Sequence, residues 1–194
     1  MKPFFLAISL LGGILSLDAT VQRGVQAARR PWMEGPMRAA TGIGKPWIVA
    51  GTLAAIGFLD PGQGPRTVLA AVLALAPANL AVELLKRATF RARPDGERKR
   101  SNASFPSSHA ANAFALAAVF ARRWRRAAPV FFGLAAVVAF SRIYLNRHFL
   151  SDVVVAAAIG VAYAWLAERW LSAREARRRA LEAEGDALVG NSGG

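Results

Sequence analysis

Cysteine is absent from the 194 residues, and histidine occurs only twice. The first absence excludes disulfides, thiolate metal sites and cysteine nucleophiles. The second confines imidazole chemistry to His109 and His148. It also leaves a metal centre short of ligands, because no further histidine or carboxylate pair is at hand. Acidic residues are scarce as well: 12 Asp and Glu stand against 25 Lys and Arg, a formal net charge of +13. A surplus of that sign flanks membrane segments, attracts anionic headgroups, binds nucleic acid or holds phosphate. Nucleic acid is set aside, since no basic face with interleaved aromatics lies outside the apolar blocks. No internal repeat is evident, and the length suits one domain.

What is abundant is apolar. Hydrophobic residues make up 54% of the chain, above the roughly 45–50% of soluble domains. They gather in six blocks: Phe4–Leu17, Trp47–Leu59, Thr67–Leu85, Ala110–Ala121, Ala127–Leu145 and Val153–Trp170. Several fall short of the roughly 20 residues that cross a bilayer. Small or amphipathic neighbours, such as Gly42–Lys45, Ser107–His109 and Glu168–Leu171, extend most of them to that length. The pattern predicts an all-α integral membrane protein, a bundle of about six transmembrane helices. The first block is expected to stay as an uncleaved anchor, because Ser16-Leu17-Asp18-Ala19 is a poor cleavage site. Asp18–Lys45 is Arg-rich and carries Pro31, Trp32, Met33 and Pro36, which predicts an amphipathic interfacial segment. From Ser172 an Arg/Glu/Ala helical pattern gives way to glycine. Residues 1–171 therefore read as the membrane domain, with its motif core at 86–152, and 172–194 as a solvated, fraying tail.

Polar residues at the edges of apolar blocks are costly in lipid and point to function. Three such clusters occur. Lys86 closes the third block, with Arg93-Pro94 after six intervening residues. Pro106-Ser107-Ser108-His109 opens the fourth. Ser141-Arg142, then His148 after five residues and Asp152 after three more, bridge the fifth and sixth. Alternating spans bring all three clusters to one membrane face. The combined inventory suits a phosphate: Lys86, Arg93 and Arg142 as cations, with hydroxyls from Ser107 and Ser108. A helix starting after Pro106 also offers free amides to an anion. If 148–152 is helical, Asp152 lies one turn from His148, accepts its Nδ1 proton and leaves Nε2 as a lone pair. His109, from another helix, is then free to act as an acid.

These clusters resemble the signature of the type-2 phosphatidic acid phosphatase superfamily, with its bacterial lipid phosphatases, some acid phosphatases and vanadium haloperoxidases. The match rests on Lys86, Arg93, Pro94, Pro106, Ser107, His109, Ser141, Arg142, His148 and Asp152. It departs at Ser108, where the family usually has glycine. The resemblance implies metal-free, cofactor-free catalysis in two steps. His148 attacks phosphorus and becomes a phosphohistidine, Asp152 steadies the imidazolium, and His109 protonates the leaving oxygen and then activates water. Lys86, Arg93, Arg142, Ser107 and Ser108 would bind the phosphate oxygens. The implied substrate is a lipid phosphate monoester or pyrophosphate of the phosphatidic acid, phosphatidylglycerophosphate or undecaprenyl pyrophosphate type. Lipid A dephosphorylation and lipid phosphotransfer remain alternatives that use the same residues.

The other polar residues take structural readings. Arg87 and Arg91 snorkel at a helix end, Arg98-Lys99-Arg100 is a solvated run, and Glu83 pairs with Lys86. Asn79 and Asn112 bond between helices. Arg122, Arg123, Arg125 and Arg126 anchor a tight turn. With the phosphate ligands set aside, basic residues divide evenly between the faces, so their total does not orient the chain. The short basic turn and the tail favour the cytoplasm. That turns the site outward from a bacterial inner membrane, the orientation the resemblance also implies.

Overall fold

The computed structural model describes residues 2–97 and 103–191, with side chains over 13–97, 103–184 and 186. Arg98-Lys99-Arg100 and the terminal glycines lie outside the described residues. Among the described residues seven α-helices follow in order: α1 Lys2–Ala27, α2 Pro31–Gly42, α3 Pro46–Leu59, α4 Gly64–Thr89, α5 Ser108–Arg123, α6 Ala128–Tyr144 and α7 Leu150–Asn191. No strand occurs among the described residues. Each of the six apolar blocks seeds one helix, and α2 is added. Proline stands in the first turn of α2, α3, α4 and α6, where its fixed φ suits the helix and its missing N–H costs nothing. At the far end of α4, Phe90 takes a left-handed conformation (φ 46°) and ends the helix.

Burial in the bundle is inverted relative to a soluble protein. The interior is largely alanine: Ala70, Ala71, Ala74, Ala78, Ala110, Ala111, Ala115 and Ala156 are completely enclosed. The large side chains face outward, among them Leu80, Leu84, Val130, Leu134, Phe140, Val154 and Trp165. Lipid removes the penalty for that outer surface, and small residues inside let helices approach closely. One such close approach is at Gly160 of α7, where a Cβ would stand 2.3 Å from the Ala111 carbonyl oxygen of α5. The expected Asn79–Asn112 bond joins α4 to α5 at 2.8 Å.

The chain is an all-α integral membrane protein. Among the described residues, three helices are long and apolar enough to cross a membrane: Gly64–Thr89, Arg125–Tyr144 and Leu150–Glu184. A fourth crossing arises if α2 and α3, bent by 54°, form one broken span. That measure falls below the expected six for physical reasons. Helix α5 has 16 residues, about 24 Å at 1.5 Å per residue, and α4, α6 and α7 all pack against it, so it needs little lipid-facing surface. The apolar half of α1 falls largely on undescribed side chains.

One other expectation changes. The interfacial segment divides, since α1 continues through Asp18 to Ala27 and only Pro31–Gly42 forms a separate helix, packed on α6. Near its end α1 supplies Gln26, whose Nε2 donates to the Ile143 and Tyr144 carbonyls at 3.2 Å, satisfying the last turn of α6. Helix α7 continues to Asn191, and Gly193-Gly194, at the end of the expected fraying tail, lie outside the described residues.

Candidate active site

The end of α4, the start of α5 and the α6–α7 turn meet at one end of the bundle, as alternating spans require. The turn after α6 passes through Asn146 in a left-handed conformation (φ 59°), which asparagine tolerates better than most residues. Arg147 then bonds Asp95 at 2.7 Å and Glu97 at 3.0 Å, tethering the segment after Arg93 to the turn that carries His148. The Ser104 amide donates to the Arg91 carbonyl at 2.8 Å, and the Ser107 amide to the Asp152 carbonyl at 3.2 Å. These bonds return the chain from α4 to the start of α5 against α7.

His148 is 2% exposed. Its Nδ1 lies 2.7 Å from the Ser104 carbonyl oxygen. A carbonyl only accepts, so Nδ1 carries the proton and Nε2 keeps the lone pair. This corrects the expected partner: Asp152 Oδ2 stands 3.8 Å from Nδ1. The reason is local, because α7 begins at Leu150 and His148 precedes it, so the assumed one-turn helical spacing does not apply. Asp152 is fully buried. It accepts from Arg91 Nη1 at 2.6 Å, from the Phe149 amide at 2.8 Å and from the Ser104 hydroxyl. Burial pushes the His148 imidazole down to about 4 from its ordinary 6.5; the pull of Asp152 opposes this, and the charges of Arg142 and Arg93 add to it.

Of the candidate phosphate ligands, Arg142 and Arg93 act on this imidazole through their charges. Lys86 Nζ donates to the Ser108 hydroxyl at 2.7 Å, so the serine that replaces the family's usual glycine holds a lysine. Arg142 Nη1 donates to Thr41 Oγ1 of α2 at 2.7 Å. Lys86 and Arg142 each feel the charge of Arg93, and His109 lies within the field of all three cations and of His148. Burial lowers the affinity of the Arg93 guanidinium for its proton. Ser107 Oγ and Arg142 Nε are buried and have no hydrogen-bond partner among the described residues, although a buried donor ordinarily finds one. The first-turn amides of α5, at Ser108 and His109, lack intrahelical acceptors by helix geometry. Converging cations, orphaned donors and a helix start are the chemistry that suits a tetrahedral oxyanion.

Several site residues escape sequence reasoning. Arg91, read as a snorkelling residue, instead bridges Asp152, Asp18 at 2.7 Å and Ser151 at 2.7 Å. Asp18, 2% exposed, also accepts from the Ser151 amide at 2.8 Å. Its signal was available: a carboxylate inside an apolar helix of a chain poor in acids. Ser104 and Thr41 carried no comparable mark. Glu83 pairs with Arg87 at 3.0 Å and not with Lys86. Gly44, at the α2–α3 bend, packs on His109, and a Cβ there would meet the ring at 3.2 Å.

Residues 67–176 match the PAP2 superfamily, a span that contains every one of the candidate residues above from Lys86 to Asp152. The chain belongs to this superfamily. It is 32% identical over 154 residues to the decaprenylphosphoryl-5-phosphoribose phosphatase of Mycobacterium tuberculosis, covering 74% of this chain and 84% of that one. Over 75 residues it is 39% identical to the lipid A 1-phosphatase of Porphyromonas gingivalis, a match that spans 37% of this chain but only 16% of that larger protein. Two crystal structures share the fold. Aquifex aeolicus LpxE superposes with a TM-score of 0.71 at 24% identity, covering 79% of this chain and 95% of that one. A transmembrane PAP2 type phosphatidylglycerolphosphate phosphatase from Bacillus subtilis gives 0.71 at 23% identity, covering 88% and 94%.

Proposed function

We propose that this PAP2 protein is a lipid phosphatase that hydrolyses a lipid phosphate monoester or pyrophosphate through a phosphohistidine on His148. The observation that carries the reading is the pair of buried, unpartnered donors, Ser107 Oγ and Arg142 Nε, beside an imidazole whose Nδ1 is committed to the Ser104 carbonyl. Nε2 attacks phosphorus, and His109 gives a proton to the departing oxygen. Lys86, Arg93, Arg142, Ser107 and the α5 amides, with Ser108, hold the equatorial oxygens. The Arg91–Asp152 pair steadies the imidazolium as charge develops. His109 then takes a proton from water, which cleaves the phosphohistidine and releases phosphate. The residues need no metal or cofactor for these steps.

An apolar groove of 210 Å³ supports a lipid substrate. It runs between α3, α5 and α6, from Ile43 and Gly44 beside His109 to Phe120 and Phe131. The Mycobacterium tuberculosis relative, matched along most of both chains, favours a phosphate carried on a polyprenyl-linked headgroup within that class. The tight basic turn at Arg122–Arg126 favours a cytoplasmic position for the opposite end, which turns the site outward from a bacterial inner membrane.

The test is phosphate release from a lipid panel in detergent micelles with chelator present. The panel holds phosphatidic acid, phosphatidylglycerophosphate, a polyprenyl pyrophosphate, a polyprenyl-phosphoryl sugar phosphate and lipid A. Release that disappears in His148→Ala and falls steeply in His109→Ala is the expected result. Full activity in His148→Ala overturns the nucleophile. Transfer of the phosphate to an added lipid acceptor, without release, identifies a phosphotransferase.

A further inference from the structure

At the end of the bundle opposite the candidate active site, a cleft of 390 Å³ opens between α5, α6 and α7. Its size falls within the roughly 300–1,000 Å³ of small-molecule sites. One wall is apolar, formed by Phe132, Val161 and Trp165, and the rim carries Arg122 and Arg125. Arg169 stacks on the Trp165 ring at 4.8 Å, which brings a third guanidinium to the same edge.

The charges of this rim are poorly matched by the protein. The nearest carboxylate to Arg122 is Glu168, at 3.7 Å, and Arg66 already holds that same oxygen at 3.2 Å. Arg66 is further engaged by Glu175 at 2.8 Å. Arg123 has its own carboxylate in Asp60, at 2.7 Å. Arg125 has no ion-pair partner among the described residues and stands exposed. Among the described residues, no acidic residue lines the cleft. An arginine rim above an apolar, Trp-bearing wall at a bundle end has the chemistry of a phospholipid headgroup seat. The guanidiniums fork onto a phosphodiester, and tryptophan marks the headgroup level. Basic pockets between transmembrane helices bind anionic lipids on this principle.

We infer that this cleft binds the headgroup of an anionic phospholipid, with its phosphate on Arg122 and Arg125 and the start of an acyl chain along Phe132, Val161 and Trp165. The site is separate from the candidate catalytic residues, which lie at the other ends of α5, α6 and α7, and it does not depend on the proposed reaction.

The full-length protein, purified in detergent and stripped of lipid, would be titrated with phosphatidylglycerol and with phosphatidylcholine of identical chains. Bound lipid is counted by native mass spectrometry. A preference of at least about fivefold for phosphatidylglycerol is expected, falling to near unity in Arg122→Gln/Arg125→Gln. Arg177→Gln, an equal loss per residue on the exposed part of α7, should leave the preference unchanged. Arg125→Gln alone, at a residue with no ion-pair partner among the described residues, should lower it without any change in fold. Excess glycerol 3-phosphate separates a lipid site from a free-phosphate site: the bound phospholipid should resist it. Equal binding of the two lipids by the wild type overturns the inference. So does a preference that survives the double variant, falls equally in Arg177→Gln, or is abolished by glycerol 3-phosphate.

Discussion

Arg91 Nη1 donates to Asp152 at 2.6 Å while its Nη2 donates to Asp18 at 2.7 Å, so one guanidinium ties α1 to α7 beside His148. Both carboxylates are buried, at 2% and 0% exposure. Removing the cation strands two negative charges, and breaking a buried pair in this way costs about 3–5 kcal/mol. Arg91→Ala should therefore lower thermal stability and cut phosphate release by at least roughly a hundredfold (about 2.7 kcal/mol). Arg91→Lys keeps the charge but lacks a fork that reaches both acids, so it should recover stability more than activity. Calorimetry beside single-turnover kinetics checks the split; equal recovery of both would reduce Arg91 to a purely structural tie.

Ser104 offers two separate contacts to the same pair, its carbonyl to His148 and its hydroxyl to Asp152. Ser104→Ala removes only the hydroxyl. The imidazole tautomer should survive, since the carbonyl sets it, and activity should drop by a modest factor of about 3–30. Ser104→Ala as damaging as His148→Ala would mean that the hydroxyl, and not the carbonyl, fixes the ring.

The position of His148 near 4 carries a pH signature. The unfolded chain takes up this proton near 6.5 and the folded chain only near 4, so acidification between those values favours the unfolded state. Stability falls as pH drops from 6.5 towards 4, by up to about 3 kcal/mol; at pH 7 the imidazole is neutral in both states and the difference vanishes. Activity should likewise persist below pH 6, since the nucleophile stays unprotonated. With two histidines in the chain, imidazole 15N NMR of a His109→Asn variant in micelles reports His148 alone. Titration close to 6.5 would contradict its burial.

Much of this site is legible in the sequence because its cations and histidines sit where lipid makes them expensive. Lys86 terminates one apolar block and Arg142 interrupts another, Arg93 and His148 lie in the short connections that follow, and topology alone brings them to one face. The connecting residues are less legible. Arg91 resembles any interfacial arginine until the loop returns Ser104 and α7 to its side. Thr41 and Gly44 belong to a bend between α2 and α3 that hydropathy does not mark. The partner of His148 depended on whether 148–152 was helical, and α7 begins two residues later than that assumption requires. Helix α5 shows in the sequence only as a short apolar block, since it is screened by α4, α6 and α7 and needs no long lipid-facing run.

Gly44 gives a test of how closely the α2–α3 bend governs His109. A methyl there would meet the ring's Cδ2 at 3.2 Å, tighter than ordinary contact, so the imidazole must turn by a few tenths of an ångström. Small displacements of a catalytic group cost up to about a hundredfold. Gly44→Ala should therefore lower the rate of phosphate release by about tenfold.

Its effect on stability should be slight, because the three atoms nearest an added Cβ all belong to the His109 side chain, which can turn aside. The contrast is Gly160, whose added Cβ would lie 2.3 Å from the Ala111 carbonyl and 2.9 Å from the Ala115 amide, both backbone atoms of α5. Backbone cannot swing aside as a ring does, so Gly160→Ala must force α5 and α7 apart. Overpacking of this kind costs about 1–3 kcal/mol. The two variants add the same methyl to the same protein and should separate cleanly: Gly44→Ala loses rate at nearly constant melting temperature, whereas Gly160→Ala loses melting temperature first. Parallel thermal unfolding and initial-rate measurements decide it, and a Gly160→Ala protein as stable as wild type would show that α5 and α7 are not in the close contact on which the alanine core depends.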